Sequence, residues 1–312
     1  MTRQLVDSLA RVRGYVPLLL LLAAIWGSSF MFIKIAVDEL EPTTTMAARL
    51  VFAAIPLVGL LILRHGWSKA WRDMGKITKP AIILGAINTA LPFTLIAWGE
   101  THIDSGIAAI ANASVPIFVA VLAIWFRPDE KSTGLRLVGI LLGIAGVAIL
   151  AGVRPEGGWW GVAGTMAVVG ASFAYAIGTM YTQGILVETE NLVLAAASIM
   201  WGAILLLPFG IAQAPSELPS WDAIGSVAVL GLLGTFVGQL LFFRLIYLYG
   251  SARAALVVYL LPVTALFYGA FFLDEPITAQ AIIGLVLILI GTALGSGIAL
   301  RRRRAAPVPA AP

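Results

Sequence analysis

The chain has 312 residues, 60% of them apolar and only 12% charged, with a mean hydropathy of +0.97. A protein this apolar cannot cover a water-facing surface with polar groups, so its solvent is predicted to be lipid. That excludes a soluble enzyme, a nucleic-acid binder and a disordered scaffold. The absence of cysteine, with only His65 and His102 as histidines, excludes thiolate sites and leaves little for a metal centre.

A membrane-crossing helix needs about 20 mostly apolar residues. Ten such stretches are legible, at 16–36, 44–63, 80–98, 106–126, 135–152, 160–181, 192–212, 223–243, 253–272 and 280–300. The first follows Arg3, Arg11 and Arg13, as a signal peptide would, but it is long and shows no small-residue cleavage site before Trp26. It reads as a retained helix carrying Trp26, Gly27, Ser28, Ser29 and Lys34. The second carries Arg49. The third carries Asn88 and Thr89 and ends at Glu100, His102 and Asp104. The fourth holds Asn112 and Pro116 and runs into Asp129 and Glu130. Gly139 and Gly143 mark the fifth, Ser172, Phe173 and Tyr175 the sixth, and Gln239 the eighth. The ninth holds Tyr259, Pro262 and Thr264 and ends at Asp274 and Glu275. The tenth holds Gly291 and Gly295. The tail 305–312, with Pro307, Pro309 and Pro312 among alanines, reads as disordered.

Basic residues set the expected orientation. With the N-terminus in the cytoplasm, 17 Lys and Arg fall in cytoplasmic segments and only Arg154 falls on the opposite face. Lys34 and Arg49 complete the 20, inside helices. The basic balance is therefore an orientation signal, with both termini cytoplasmic. The segment 182–191 departs from the pattern, carrying Glu188 and Glu190 and no basic residue.

The two halves resemble each other. Ser105, Pro116 and Asp129-Glu130 align with Ser251, Pro262 and Asp274-Glu275; Gly139 and Gly146 align with Gly284 and Gly291. Trp26 and Lys34 align with Tyr175 and Gln183. Five helices per copy is odd, so the second copy enters from the opposite face. The expected fold is therefore an all-α integral membrane protein of ten transmembrane helices, arranged as two inverted five-helix repeats (1–152 and 153–304).

The segments AIWGSSFMFIKIAV (24–37), MAARLVFAA (46–54), SVPIFVAVLA (114–123) with PDEK (128–131), and LLPVTALFYGAFFLDEPIT (260–278) before Gly284 and Gly291 carry a resemblance. Together they resemble the drug/metabolite transporter superfamily, EamA-type, over nearly the whole chain. The resemblance implies a ten-helix transporter of small metabolites, often an exporter of amino acids or toxic compounds. It also implies a central cavity lined by the first helices of each repeat, and a bacterial inner membrane as the location.

Polar groups at mid-membrane depth are costly and mark candidate sites. Trp26, Ser28 and Ser29, with their counterparts Ser172 and Tyr175, are candidate substrate-binding residues. The competing reading is close packing, with hydroxyls bonded back to their own helix. Pro116 and Pro262 are expected mid-helix, freeing the carbonyls of Asn112 and Val258 and acting as hinges. Asn112, Tyr259 and Thr264 flank these kinks as further binding candidates. Lys34, Arg49 and Glu100 are candidate gating or charge residues, Arg49 pairing with Glu39, Glu41 or Glu100. Asp129-Glu130 and Asp274-Glu275 are expected to cap the helix that follows each. The Gly-x3-Gly spacings at 139–143 and 291–295 predict helix–helix contacts, between the fifth and tenth helices or across a homodimer.

The expected function is secondary export of a small-molecule substrate, amino acids or their derivatives, by alternating access within membrane lipid. A lipid or lipid-linked-sugar flippase and a drug efflux protein are the alternatives. An intramembrane enzyme lacks a nucleophile–base pair at one depth. No cofactor, metal or nucleic acid is expected, and no P-loop is present to supply ATP.

Overall fold

The protein's structure, a computed structural model, describes residues 2–126, 134–151, 158–185 and 188–295, and all regular elements in them are helical. Asp129, Glu130, Arg154, Arg301 to Arg304 and the tail 305–312 lie outside the described residues. All ten predicted stretches are helical where they are described, apart from breaks at 113–114 and 255–256. They form α1 (Thr2–Val37), α2 (Pro42–His65), α4 (Thr78–Gly85) with α5 (Leu91–Glu100), α6 (Ser105–Asn112) with α7 (Val115–Phe126), and α8 (Gly134–Ala151). The second half gives α9 (Gly158–Ile185), α10 (Asn191–Ala212), α11 (Trp221–Val229) with α12 (Gly238–Tyr249), α13 (Ser251–Ala254) with α14 (Val257–Phe272), and α15 (Ala279–Gly295). Seven spans are long and apolar enough to cross a membrane, and Leu137–Ala151, Val257–Phe272 and Ala279–Leu294 are shorter apolar helices. The extra element is α3 (Trp67–Lys76), which hydropathy missed because it is short and charged.

Two spans change their hydrogen-bond period midway. Ala86–Ala90 joins α4 to α5 as a π-helical turn, and Leu230–Val237 joins α11 to α12 in the same way. They occupy corresponding places in the two halves of the chain. Such segments are rare and re-aim side chains without ending the helix.

Helix pairing places these elements. α2 lies antiparallel to α10: Thr44 Oγ1 donates to the Gly210 carbonyl at 3.0 Å at one end, and His65 Nε2 lies 3.1 Å from Glu190 Oε2 at the other. Thr43 also donates to Gln213. α8 lies antiparallel to α15, with Gly146 against Gly284, Leu287 and Ile288, and Gly139 and Gly143 against Gly291. α1 packs on α14 and on the α11–α12 span; α9 packs on α6–α7 and on α5. Exchanging the first five stretches for the last five leaves this pattern unchanged. The glycine seam lies inside the chain, between the fifth and tenth stretches.

Met46, Leu50, Leu57, Leu61, Ile110, Leu230 and Ile288 are fully buried in the interior, whereas large apolar side chains such as Ile55, Leu63 and Phe271 face outward. An apolar exterior of this kind suits lipid.

Two carboxylates tie the halves together at the end of the bundle that carries Glu39. Ser220 caps α11, its hydroxyl accepting from the Ala223 amide at 3.2 Å, while its own amide and hydroxyl donate to Glu39 at 2.8 and 2.5 Å. These bonds, the hydroxyl's first, hold the Glu39 carboxyl below its usual range. Glu275 accepts from the Ser105 amide and hydroxyl, both at 2.8 Å, and from the Gly106 amide at 3.2 Å. Glu275 thus caps α6 in the other half rather than the helix that follows it. A carboxylate at a helix N-terminus meets both free N–H groups and a favourable dipole.

Candidate substrate site

Arg49 lies between the second π-helical segment and α5, the helix that follows the first. The Arg49 guanidinium donates from Nε to Thr235 Oγ1 at 3.0 Å, and its plane sits 4.1 Å from the centroid of the Phe93 ring. Thr235 belongs to the second π segment and passes its own proton to the Leu230 carbonyl at 3.0 Å. Phe93 follows the first π segment directly and meets Tyr175 edge-to-face at 6.5 Å. A buried guanidinium held by the Thr235 hydroxyl, the Met46 sulfur and one aromatic face is oriented but not neutralised. Arg49 makes no ion pair within 4 Å among the described residues, so the predicted pairing with Glu39, Glu41 or Glu100 is not seen.

Glu100 is the buried acid nearby. Its side chain is fully buried, and neither carboxylate oxygen has a hydrogen-bond partner. The charges of Lys34, Glu275 and Arg49 all act on it. Lys34 donates instead to the backbone carbonyls of Glu100 and Ile103, at 2.6 and 3.2 Å, closing the exposed C-terminal carbonyls of α5. A buried guanidinium without an ion pair and a buried carboxyl without a hydrogen bond therefore act on one another electrostatically. Such an arrangement is costly unless a ligand or proton completes it.

The aromatic candidates occupy equivalent places. Trp26 Nε1 donates to the Gly234 carbonyl in the second π segment at 3.0 Å, and its ring packs on Phe242 at 5.3 Å. Gly234 and Gly238 leave room for this approach, since a Cβ on Gly234 would stand 2.9 Å from Ser29 Oγ and one on Gly238 would overlap the indole. Tyr175 and Gly178 pack on the first π segment and its neighbours in the same way. Trp26, Ser29, Arg49, Phe93, Tyr175 and Thr235 are thus brought together around the two segments.

Other predicted residues fall into helix–helix contacts. Ser28 Oγ donates to the Ile25 carbonyl of its own helix at 2.9 Å, and Ser29 Oγ donates to the same carbonyl at 3.3 Å. Ser172 Oγ reaches the carbonyls of Val168, Ala111 and Asn112 at 3.2, 3.4 and 3.3 Å. Thr264 Oγ1 reaches the Ala23 carbonyl at 2.9 Å and the Leu261 carbonyl at 3.0 Å. Pro116 does not interrupt a continuous helix. The chain breaks at 113–114, and Pro116 sits in the first turn of α7, with Ser172 meeting the freed Asn112 carbonyl. Pro262 does lie inside α14, but the break in that span falls earlier, at 255–256, three residues before Tyr259.

A cavity of about 530 Å³ opens at the Glu39 end, lined by residues 37–42, Trp98, Thr101, Gln213 and Pro215. Neither Glu100 nor Trp26 lines it, although Trp98 and Thr101 stand on either side of Glu100 in the chain. Asp38, Glu39 and Glu41 make its mouth acidic. Among the described residues no group of three or more His, Asp or Glu side chains is placed to hold a metal.

Sequence position gave no hint of Thr235 or Phe93. The signals that could have found them are the glycine-rich run 231–238 and the Pro92-Phe93 pair beside Asn88 and Thr89.

Comparison with known proteins agrees with this architecture. A model of the EamA-like transporter family matches residues 14–152 and again 162–296. Over 274 residues, 88% of this chain and 95% of the relative, the chain is 29% identical to an uncharacterized transporter of Archaeoglobus fulgidus. It is 28% identical over 265 residues to the uncharacterized inner membrane transporter YedA of Escherichia coli, covering 83% of this chain and 84% of YedA. It is 25% identical over 311 residues to a probable amino-acid metabolite efflux pump of the same organism, covering 93% of this chain and 97% of the pump. A solved crystal structure shares the fold at a TM-score of 0.62 and 17% identity, over 94% of this chain and 99% of the other. With most of its length matched by the family's model in two successive blocks, the chain belongs to the EamA-like transporter family.

Proposed function

We propose that this protein is a secondary transporter that exports small zwitterionic metabolites, amino acids or their derivatives, by alternating access of two inverted five-helix repeats. The repeats are 1–152 and 153–304, in a ten-helix arrangement within a bacterial inner membrane, with both termini cytoplasmic. The observation that carries the substrate class is the buried guanidinium of Arg49 and the buried carboxyl of Glu100, which are not bonded to each other. A zwitterion supplies what each lacks: a carboxylate for the guanidinium and an ammonium for the carboxylate. Phe93, Tyr175 and Trp26 offer apolar faces to a side chain, and Ser29, whose proton goes to the Ile25 carbonyl, offers a hydroxyl oxygen as acceptor. The amino-acid efflux pump among the relatives supports the same class. The exchange symmetry of the helix pairing supports alternating access, since swapping the two repeat geometries opens one central site to the other side. Lys34 then serves as a gate on the carbonyl end of α5, and the breaks at 113–114, just before Pro116, and at 255–256, ahead of Pro262, serve as hinges.

Exchange in proteoliposomes tests this reading. Vesicles loaded with labelled phenylalanine are exposed to phenylalanine, phenethylamine (no carboxylate) or N-acetylphenylalanine (no ammonium). Hydrogen bonds to charged groups contribute about 1.5–3 kcal/mol, so each analogue should exchange at least about ten-fold more weakly than the amino acid. Equal exchange of all three would overturn the zwitterion reading. Absence of exchange with phenylalanine and with a panel of other amino acids would overturn amino-acid export itself.

A further inference from the structure

The element that transport leaves unused is α3. Its apolar residues recur at Trp67, Ala70, Trp71 and Met74, one face of a helix. Ala70 and Met74 are buried against the bundle, whereas Trp67 and Trp71 are 65% and 41% exposed. The two indoles meet edge-to-face at 5.8 Å. Half of the apolar face is therefore spent on the protein, and the other half is open. Indoles concentrate where a membrane meets water, with the ring among the upper acyl chains and the N–H among headgroups.

Charge surrounds these rings. Arg64, Lys69, Arg72, Lys76 and Lys79 are all exposed. The acid on α3 itself, Asp73, is already engaged: Lys76 Nζ donates to it at 2.9 Å and His65 Nδ1 lies 3.7 Å away. That bond, with Lys76, Lys69 and Arg72 close by, keeps the Asp73 carboxyl below its usual range. In the neighbouring loop Glu188 is exposed and Glu190 turns to His65. The basic side chains thus outnumber nearby acids. Gly66, at φ 79°, ends α2 and turns the chain directly into α3, which keeps it beside the end of that span.

We propose that α3 lies flat in the membrane interface and gathers anionic phospholipid headgroups around Lys69, Arg72 and Lys76. Trp67 and Trp71 anchor the helix at the level of the upper acyl chains. Neutral phospholipids satisfy only the indoles, whereas anionic ones satisfy the cations as well, each Lys or Arg near such a surface contributing about 1 kcal/mol.

The chain has no cysteine, so Ser68→Cys, exposed on α3, takes a single bimane label. The labelled full chain is placed in vesicles that mix phosphatidylcholine with phosphatidylglycerol, one or the other brominated at equal mole fraction. Brominated phosphatidylglycerol is expected to quench the label at least about two-fold more than brominated phosphatidylcholine. Lys69→Gln, Arg72→Gln and Lys76→Gln together should remove that preference while both lipids still quench. Equal quenching in the unsubstituted helix overturns the proposal, as does a preference that survives the three substitutions. Quenching by neither lipid overturns the interfacial placement itself. Circular dichroism and a monodisperse elution profile confirm that each variant is folded.

Discussion

Arg49→Gln is expected to raise the half-saturating concentration for a zwitterionic substrate by about 10- to 150-fold. That range corresponds to losing one charge-assisted interaction of about 1.5–3 kcal/mol. Glutamine keeps a polar group near Thr235 but neither the charge nor the flat cation over Phe93. Arg49→Lys isolates geometry from charge. A lysine ammonium keeps the sign, but it is a point charge and cannot reproduce the Nε bond and the contact over the Phe93 ring together. Flux through the lysine variant should therefore fall between those of the glutamine variant and the unsubstituted protein. Removing a buried cation that lacks an ion pair also relieves a desolvation cost, so Arg49→Gln should not lower thermal stability. Unchanged saturation with Arg49→Gln, measured in proteoliposomes of equal protein content, would remove Arg49 from the site.

Gly291→Ala is expected to destabilise the fold by about 1–3 kcal/mol, a cost typical of overpacked interiors. The added Cβ would stand 2.6 Å from the Gly139 carbonyl oxygen and 2.6 Å from the Gly143 nitrogen. These are backbone atoms of the opposing helix, so no side-chain rotation relieves the overlap; α8 and α15 must separate. Gly225→Ala is the matched control. It lies inside α11 with nothing within 4 Å of its added Cβ, and alanine there should gain about 0.8–1 kcal/mol of helix propensity. Unfolding midpoints in detergent should thus move in opposite directions for the same chemical change. A Gly291→Ala midpoint at or above that of the unsubstituted protein would contradict the seam.

Much of this architecture was readable from the sequence because lipid imposes simple demands. A crossing helix must be long and apolar, so hydropathy marked the seven spans that meet both demands and the three shorter apolar helices. The repeated Ser, Pro and Gly positions indicated which stretches correspond, and the glycines of the fifth and tenth stretches do meet. The site was harder to read. Trp26, Tyr175 and Arg49 stood out as polar or amphipathic groups in apolar runs, but Thr235 lies 186 residues from Arg49 and looks like any threonine in an apolar helix. A π-helical turn leaves no hydropathy signature, since it changes the hydrogen-bond period and not the composition. Ser28, Ser172 and Thr264 were ambiguous because a hydroxyl can face a cavity or bond a nearby carbonyl, and only coordinates decide its direction. Glu275 misled for a related reason. An acid before a helix usually caps that helix, but here the start of α6, 170 residues earlier, lies closer in space.

Access to Ser29 from the two sides of the membrane tests alternating access most directly. Ser29 is buried beside Gly234 in the second π segment, next to Arg49, and the chain offers no competing thiol. Ser29→Cys is treated with a membrane-impermeant thiol reagent in right-side-out and in inverted vesicles. Alternating access predicts labelling from both sides, slowed in both by saturating substrate. Labelling from one side only, in a variant that still transports, would contradict it.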